Sequence, residues 1–409
     1  MSRIGILTFH RSYNYGAFVQ CYSLCQRLKQ DFPNDDIEVI DYATERLYHN
    51  YPTTRREFIF GSKQKKNSKK AIARNIVKLI LENKYLERRK ILYHAFDEEA
   101  SMLPLSDDRI ISDDYEKFIA SIKDKYDVII VGSDGVWEFK AYPFPNAYFL
   151  NGDLGHTILM SYAASSDRMH YSELSMKEKA YLKEAFSRFS YIGIRDKATE
   201  MLVEQITGKH DFYHNCDPTV LLNINQLPKG LDRIKTELRS NGIDLDKPII
   251  GIMGGNSVCK LVREMFGDKY QIVAVYYYSK YADYFLNDLT PIEWAQVFSL
   301  FSVTVTRFFH GSLLSLKNGC PTIATDDWYK VTDDHITKIG DLYQRLNLEN
   351  HYFYMPEMNS RESINEMKNR IEYYINHPDK GEIAEALAKE AKSYDSFKNS
   401  LEINLGRKR

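Results

Sequence analysis

The sequence contains little cysteine, proline or glycine, and it has no long uninterrupted hydrophobic run. Its 409 residues include five cysteines, 12 prolines and 20 glycines. The scattered cysteines form no C-x-x-C pair, so they provide no zinc motif and are typical of reduced thiols. The scarcity of proline and glycine excludes a collagen-like or low-complexity chain, and no segment reaches the ~20 apolar residues of a membrane-spanning helix. We therefore expect a globular, cytoplasmic protein without a metal site.

An excess of charge of one sign is also absent. Lys and Arg number 55 and Asp and Glu number 56, which gives a net charge of −1. This balance gives no reason to expect nucleic acid as a partner. The exception is residues 55–90, where 13 basic residues stand against three acidic ones. Apolar residues at helical spacing predict a helix there, either in a solvated insertion or in contact with an anionic membrane or substrate.

Two α/β series follow one another along the chain. Residues 3–9 predict a strand and 16–30 a helix, and the apolar run 127–131 is typical of a buried parallel strand. A strand predicted at 248–253 opens the second series, and residues 227–241 between the two series lose apolar periodicity. The predicted domains are an N-terminal Rossmann-like domain over residues 1–235 with a basic helical insertion near 45–105, and a second Rossmann-like domain over 236–359. C-terminal helices are predicted over 360–409, two of them over 360–398.

Polar and charged residues collect directly after the predicted strands, where open α/β sheets bind their ligands. The candidate site residues are His10, Asn14, Tyr15, Gly16, Gly132, Ser133, Asp134, Arg195, Gly254, Gly255, Asn256, Arg307, His310, Gly311 and Ser312. We expect these residues to line a cleft between two facing domains.

The segment from Arg307 to Ser312 is the most specific of these. A guanidinium binds carboxylate or phosphate through two hydrogen bonds, and an imidazole exchanges a proton near neutral pH. Gly311 and Ser312 lie at a predicted helix start, where free N–H groups favour an anion. Together these residues suit an anionic substrate that undergoes proton transfer. The alternative is that Arg307 pairs with a structural carboxylate and that His10 and His310 are ordinary polar loop residues.

Other candidates also have two interpretations. The loop 254–257 either binds an anion through its backbone N–H groups or is only a tight strand-to-helix turn. Asp134 is either a general base or a cap for the turn that follows it. Trp137 and the tyrosines 276–278 either stack on a sugar ring or pack in the core. The loop 14–16 is assigned to the substrate cleft.

Six segments, in order, resemble a known family. They are F-H-R-S-Y-N-Y-G-A-F-V-Q (9–20), D-V-I-I-V-G-S-D-G-V-W (127–137), S-Y-A-A-S (161–165), I-G-I-R-D (192–196), D-P-T-V-L-L (217–222) and R-F-F-H-G-S (307–312). Over roughly residues 3–345 the chain closely resembles the polysaccharide pyruvyl transferase family. Gly135 stands where that family usually has Gln, and Ser166-Asp167 where it often has Phe-Gly. These differences bear on acceptor recognition more than on donor chemistry.

The resemblance implies a GT-B-like fold, with the active site between two Rossmann-like domains. It implies transfer of a pyruvyl group from phosphoenolpyruvate to two hydroxyls of a sugar, with release of phosphate and no further cofactor. The family's phosphoenolpyruvate-binding basic residues correspond to Arg195 and Arg307, and its active-site histidine to His310. We expect His310 to protonate the methylene carbon of the enol as a general acid, and Asp134 or His10 to accept the sugar proton.

Two other functions remain as alternatives. One is a nucleotide-sugar glycosyltransferase, which shares the expected architecture, since a fold does not fix a function. The other is a non-catalytic saccharide-binding protein. The expected partners are phosphoenolpyruvate and a saccharide acceptor from a surface polysaccharide, such as an exopolysaccharide or capsule, or from its lipid-linked precursor. For a lipid-linked acceptor, residues 55–90 are expected to contact the inner face of an anionic membrane.

Overall fold

The structure, a computed structural model, describes residues 1–48, 51–61, 66–81, 84–138, 144–167, 169–228, 230–326, 336–358, 360–378 and 380–408. These residues form two units. Unit 1 comprises residues 1–218 and 394–409, and unit 2 comprises residues 219–393. The division therefore falls before Thr219 and not near residue 235.

The strands of unit 1 are short and mostly buried. They are β1 (Arg3–Leu7), β2 (Asp36–Val39), β3 (Tyr42–Ala43), β4 (Ile110–Ile111), β5 (Val128–Val131), β6 (Ile158–Ser161), β7 (Phe189–Tyr191), β8 (Gly193–Ile194) and β9 (Tyr213–His214). Five of them form a parallel sheet in the order β2-β1-β5-β6-β7, and β3 pairs with β4 and β8 with β9. All four residues of β5 are buried, as expected for a central parallel strand covered on both faces.

Helices connect these strands. They are α1 (Tyr15–Asp31), α2 (Glu45–Tyr48), α3 (Arg55–Phe60), α4 (Lys69–Leu81), α5 (Tyr85–Glu99), α6 (Tyr115–Ile122), α7 (Met176–Ser187) and α8 (Lys197–Thr207), with the short α9 (Pro218–Leu221) at the junction of the units. The helices α2 to α5 lie between β3 and β4 and confirm the predicted basic helical insertion. A capping box between Thr54 and Glu57 begins α3, which explains why a helix starts at that position.

Unit 2 contains a second parallel sheet. Its strands are β10 (Ile249–Met253), β11 (Gln271–Val275), β12 (Tyr284–Leu286), β13 (Val303–Thr306), β14 (Thr322–Asp326) and β15 (Tyr352–Tyr354). Their order is β12-β11-β10-β13-β14-β15, the arrangement of a Rossmann sheet. The helices of unit 2 after α9 are α10 (Leu231–Ser240), α11 (Gly255–Phe266), α12 (Pro291–Val297), α13 (Phe309–Lys317), α14 (Lys338–Arg345), α15 (Arg361–Asn376) and α16 (Lys380–Ala391). The last helix, α17 (Tyr394–Asn404), belongs to unit 1.

Helix α10 explains why the division between the units lies closer to the N-terminus than expected. Its residues were expected to lack periodicity, yet Ile234 and Leu238 are fully buried on one face. On the same helix, the Arg233 Nε donates to Glu293 Oε1 of α12 at 2.7 Å. Because only two apolar residues define its buried face, the pattern is too sparse to indicate a helix from the sequence.

The C-terminal residues form three helices and not the predicted two. Helices α15 and α16 belong to unit 2, whereas α17 belongs to unit 1. The ring of Phe397 in α17 packs edge-on against Tyr162 with centroids 4.8 Å apart, and Lys398 pairs with Asp31 of α1 at 2.7 Å. The chain thus ends in the unit in which it begins.

Candidate functional site

The order in which the chain adds strands to the sheet of unit 2 reverses between β10 and β13. From β10 the chain adds β11 and β12 on one side and then returns to add β13 on the other. Met253 lies opposite Thr306 in the register of these two strands, and the Arg307 backbone N donates to Met253 O at 3.2 Å. The loop after each strand therefore starts at the same edge, where open α/β sheets bind ligands.

Helices α11 and α13 both begin at this edge. Their N-cap residues, Gly254 and Phe308, supply no side-chain cap, and the helix dipoles concentrate partial positive charge there. Gly255 has a φ of +71°, a conformation that favours glycine. A Cβ on Gly311 would lie 2.7 Å from Thr306 Oγ1, so glycine allows α13 to start close to the strand end.

Arg307 and His310 are placed at this edge by β13 and α13. Arg307 is the first residue after β13, and His310 is the second residue of α13; both are half-buried. Asn256 lies in the first turn of α11, and its Oδ1 accepts from the Lys280 backbone N at 3.3 Å. Ser312 is fully buried in α13. The structure thus brings together a guanidinium, an imidazole and two helix N-termini, which suits an anionic ligand and proton transfer.

Two aromatic residues and one carboxylate border the same edge. The ring of Phe308 stacks on Tyr277, 5.5 Å away at 24°, and Tyr277 remains 40% exposed. Asp326, the last residue of β14, is buried and accepts from Tyr352 Oη at 3.4 Å. Asp326 was not among the predicted residues, although a charged residue that directly follows the run predicted as a strand next to β13 was a visible signal. Trp137, the other aromatic candidate, is fully buried in the core of unit 1.

Unit 1 has a corresponding edge between β1 and β5. The Gly132 N donates to Leu7 O at 3.1 Å, and Thr8 Oγ1 donates to Ser133 O at 3.0 Å. Gly132 has a φ of +113°, and an added Cβ would clash with the Tyr162 carbonyl oxygen. The backbone conformation thus requires glycine at this position and aligns the two loops.

His10 belongs to a buried ion cluster around Asp41. Its Nε2 lies 3.0 Å from Asp41 Oδ1 and its Nδ1 lies 3.2 Å from Thr8 O, and only 1% of the side chain is exposed. Arg11 holds both carboxylate oxygens of Asp41, and Arg109 Nε donates to Oδ2 at 3.3 Å. Burial raises the pKa of Asp41, but the hydrogen bonds from His10 and Arg11 outweigh it and hold the pKa well below its usual range.

Residues 14–16 form the start of α1. The Asn14 side chain accepts from the backbone N–H of Gly16 at 2.9 Å and of Ala17 at 3.4 Å, so Asn14 is the N-cap. Tyr15 is buried and stacks on Phe96 of α5, with centroids 4.8 Å apart. Asn14 and Gly16 therefore form the cap of α1, and Tyr15 packs it against the insertion.

Ser133 and Asp134 contact the end of the neighbouring strands. Ser133 Oγ is buried, 3.1 Å from Ala163 O and 3.3 Å from Asp217 Oδ2. Asp134 has a φ of +76°, and its Oδ1 accepts from the Gly135 N at 2.8 Å. Asp134 therefore caps its own turn, as the alternative interpretation expected, while 17% of its side chain remains exposed.

Arg195 is fully buried among three carboxylates. Its Nη1 donates to Asp217 Oδ2 at 2.9 Å, and its Nη2 and Nε lie 3.6 Å from Asp134 and 3.8 Å from Asp196. Burial lowers the pKa of Arg195, but Asp134, Asp217 and Asp196 outweigh it and hold the pKa above its ordinary value. Arg195 therefore neutralises buried carboxylates of its own unit, and a substrate anion would have to compete with them.

The candidate residues form two sets, one in each unit. The loops 254–256 and 307–312 meet in unit 2, and the loops 10–16 and 132–134 follow adjacent strands in unit 1 with Arg195 near Asp134. Arg195 and Arg307 belong to different units, so their joint contact with one substrate in a shared cleft stays a prediction.

In the part of the chain that the structure describes, no group of three His, Cys, Asp or Glu side chains is arranged to hold a metal ion. None of the helices described is long and apolar enough to cross a bilayer.

Comparison with known proteins places the chain in a family. The family model of polysaccharide pyruvyl transferase matches residues 14–328, well over half of the chain. The chain belongs to the polysaccharide pyruvyl transferase family. This confirms the resemblance and gives the chain the general activity of a transferase of polysaccharide biosynthesis. A search of curated proteins found no match.

Solved structures similar to this pyruvyl transferase family member confirm its fold class. A UDP-GlcNAc 2-epimerase from Neisseria meningitidis bound to UDP-GlcNAc aligns with a TM-score of 0.51 at 8% identity, covering 98% of this chain and 99% of the epimerase. S. aureus MnaA in a co-structure with UDP aligns with a TM-score of 0.51 at 9% identity, covering 100% and 98%. The GT-B-like α/β class with two Rossmann-like units is confirmed.

Proposed function

We propose that this protein transfers a pyruvyl group from phosphoenolpyruvate to two hydroxyls of a sugar. The acceptor belongs to a surface polysaccharide or to its lipid-linked precursor, and the products are a cyclic pyruvate ketal and phosphate. The observation that carries the proposal is the meeting of Arg307, His310 and the starts of α11 and α13 at one edge of unit 2, in a chain that belongs to this family.

The chemistry of phosphoenolpyruvate fits that edge. Its carboxylate and phosphate lie close together, so its binding site needs several fixed positive groups. Arg307 offers a planar fork for one anion, and the first-turn N–H groups of α11 and α13 offer partial positive charge for the other. Arg195 remains the family's second cation, and its place in donor binding is a prediction separate from its ion pairs in unit 1.

In the proposed reaction, C3 of phosphoenolpyruvate takes a proton from His310, and one sugar hydroxyl adds to C2 as it loses its own proton. Phosphate then leaves with the electron pair of its C–O bond, and the second hydroxyl adds to C2 to close the ketal. Of the two hydroxyl protons, one replaces the proton that His310 donated and the other leaves with phosphate. No cofactor is needed for this balance.

We assign the general base to Asp134 and not to His10. Both were expected to accept the sugar proton. His10 has both ring nitrogens within hydrogen-bond distance of Asp41 or Thr8 and a side chain that is 1% exposed. The Asp134 carboxylate is 17% exposed, which supports contact with an incoming hydroxyl.

The test incubates the protein with phosphoenolpyruvate and oligosaccharides from the host's own surface polymer. We expect acceptor-dependent release of phosphate and an acceptor heavier by one pyruvyl ketal, read by mass spectrometry. A parallel incubation with nucleotide sugars examines the glycosyltransferase alternative, since similar folds bind UDP compounds. A glycosyl increment instead of a ketal, or saccharide binding with neither product, would contradict the proposal.

We also propose that helix α4 touches an anionic membrane when the acceptor is lipid-linked. Ile76, Val77 and Ile80 are 41%, 51% and 74% exposed on this helix, and the exposed Lys70 and Arg74 lie within about three turns of them. An apolar strip bordered by cations favours the interface of an anionic bilayer. We name residues 70–80 the α4 surface.

Vesicle flotation tests the α4 surface. The protein should float with anionic phosphatidylglycerol vesicles and not with phosphatidylcholine vesicles, and added salt should weaken the association. The variant Ile76→Glu/Ile80→Glu should stay in solution. Met176→Glu, which changes an apolar residue that is 80% exposed on α7, is the matched control. Equal flotation of both variants would contradict this membrane contact.

A further inference from the structure

A cavity of about 690 Å³ lies in unit 1 beside the carboxyl end of β1. The loop after β1 and helix α5 of the insertion both line it. We name it the tyrosine pocket and define it by Arg11, Tyr13, Tyr51, Lys90, Tyr93 and Arg109, which all line it. Its volume is within the range of pockets that hold small organic ligands.

Aromatic rings form much of the pocket wall. Tyr13 stacks on Tyr93 of α5, with centroids 4.3 Å apart at 26°. Tyr51 meets Tyr13 edge-on at 4.8 Å and Tyr93 at 5.7 Å. The Tyr13 hydroxyl donates to Asp97 at 3.1 Å, which fixes its ring. Tyr13 and Tyr93 cover one face of each other, so a sugar would contact the half-buried rings of Tyr13 and Tyr51 on the surface that this packing leaves open.

The charges in the pocket are mainly positive. Arg11, Lys90 and Arg109 line it together with one carboxylate, Asp97. The carboxylate of Asp41 binds both Arg11 and Arg109 and neutralises one of these positive charges. The Arg109 side chain is still 54% exposed, and Lys90 is exposed. An anionic group in the pocket would therefore meet two guanidinium groups that Asp41 holds, of which Arg109 is the more exposed, and the exposed ammonium of Lys90.

We propose that the tyrosine pocket binds an acidic segment of the acceptor saccharide, with sugar rings against the tyrosines and a sugar carboxylate or phosphate at Arg11, Lys90 and Arg109. This inference rests on the proposed function, because it names the acceptor class of that reaction. Tyr51, Lys90 and Tyr93 of the insertion line the pocket, so the insertion takes part in selecting the acceptor. Asp97 excludes an anion from its own side and so directs the acidic group toward Arg109.

Binding is measured by titration calorimetry without phosphoenolpyruvate, which separates it from turnover. The probes are tetragalacturonate, its neutral methyl ester and glucose 1-phosphate. Tetragalacturonate or glucose 1-phosphate should bind at least ~10-fold more tightly than the neutral ester, because a hydrogen bond to a charged group is worth about that factor. Which acidic probe binds distinguishes a carboxylate from a phosphate.

Variants of the exposed Lys90 and Arg109 and of the half-buried Tyr51 test the site. Arg109→Gln/Lys90→Gln should lose ~10-fold or more in affinity for the acidic probe and little for the neutral ester. Tyr51→Leu should weaken binding of tetragalacturonate and of its neutral methyl ester alike. The matched controls in unit 2, Arg239→Gln and Tyr373→Leu, change an exposed arginine and an exposed tyrosine and should bind like the wild type.

The outcomes separate this inference from the proposed function. Equal affinity for acidic and neutral probes, or unchanged affinity in the Arg109→Gln/Lys90→Gln variant, would overturn the pocket. Ketal formation on a neutral acceptor with the same kcat/KM in that variant would also overturn it while the proposed function stands. Selective binding of an acidic probe without any phosphoenolpyruvate-dependent product would support the pocket and overturn the proposed function.

Discussion

At the scale of single residues, Arg195 shows how one side chain fits two interpretations. From the sequence it is a cation after a strand, and the family resemblance makes it a donor ligand. In the structure it is buried with Asp134, Asp196 and Asp217 within 4 Å. The signal for this was present, since Asp196 is adjacent and D-P-T at 217–219 follows another strand, but only the fold shows that they converge.

The Arg195→Met variant tests the structural part of this residue's function. Removing the cation leaves buried carboxylates uncompensated, so we expect a loss of ~3–5 kcal/mol in the free energy of unfolding. Urea unfolding is the measurement, with the exposed Arg239→Met as the control. Wild-type stability combined with weakened phosphoenolpyruvate binding would mean that Arg195 serves the donor alone.

Asp41 gives a prediction about pH. Its folded-state pKa is depressed, so the folded state favours the carboxylate and gains stability above the ordinary carboxyl pKa of ~3.9. That stability is fully present near pH 6 and is lost as the pH falls through ~4 and below. The difference in unfolding free energy between the wild type and Asp41→Asn should therefore shrink from pH 6 to pH 3. A difference that stays constant over this range would contradict the account.

At the scale of elements, apolar strands followed by polar loops were predictable, and the site loops were found for that reason. The β10 loop follows a buried apolar run and the β13 loop follows a buried run in which Val and Thr alternate, so the edge at which they meet follows from parallel pairing. The tyrosine pocket was not predictable. Tyr13 and Tyr93 are 80 residues apart, and no local pattern shows that α5 folds back onto the β1 loop.

Helix α17 carries a prediction about packing. Phe397 is fully buried between Tyr162 and Tyr191, so Phe397→Ala should cost ~3–5 kcal/mol. Ile403 on the same helix is 53% exposed, and Ile403→Ala should change stability by no more than ~0.5 kcal/mol. Urea unfolding compares the two, and hydrogen exchange should show the loss in the strands of unit 1. Equal effects of the two variants would contradict the packing of α17.

At the scale of the whole molecule, the two-domain α/β class was predictable and the domain limits were not. Repetition of strand and helix patterns indicated two Rossmann-like domains, and both sheets are parallel as expected. The limits differ because chain order is a poor guide to packing: α10 joins unit 2 through Arg233, and α17 returns to unit 1. Which unit a helix joins depends on which buried surfaces are complementary in the folded chain.

The central claim is that His310 protonates the methylene carbon of phosphoenolpyruvate as its pyruvyl group moves to a sugar. The most direct measurement runs the reaction in D₂O and analyses the ketal methyl group by mass spectrometry and NMR. We predict one deuterium in each methyl group with the wild-type protein. We also predict turnover ~10²–10⁴-fold lower for His310→Ala, with the exposed His210→Ala as the unaffected control. A ketal without deuterium, or near-normal turnover in His310→Ala, would contradict the claim.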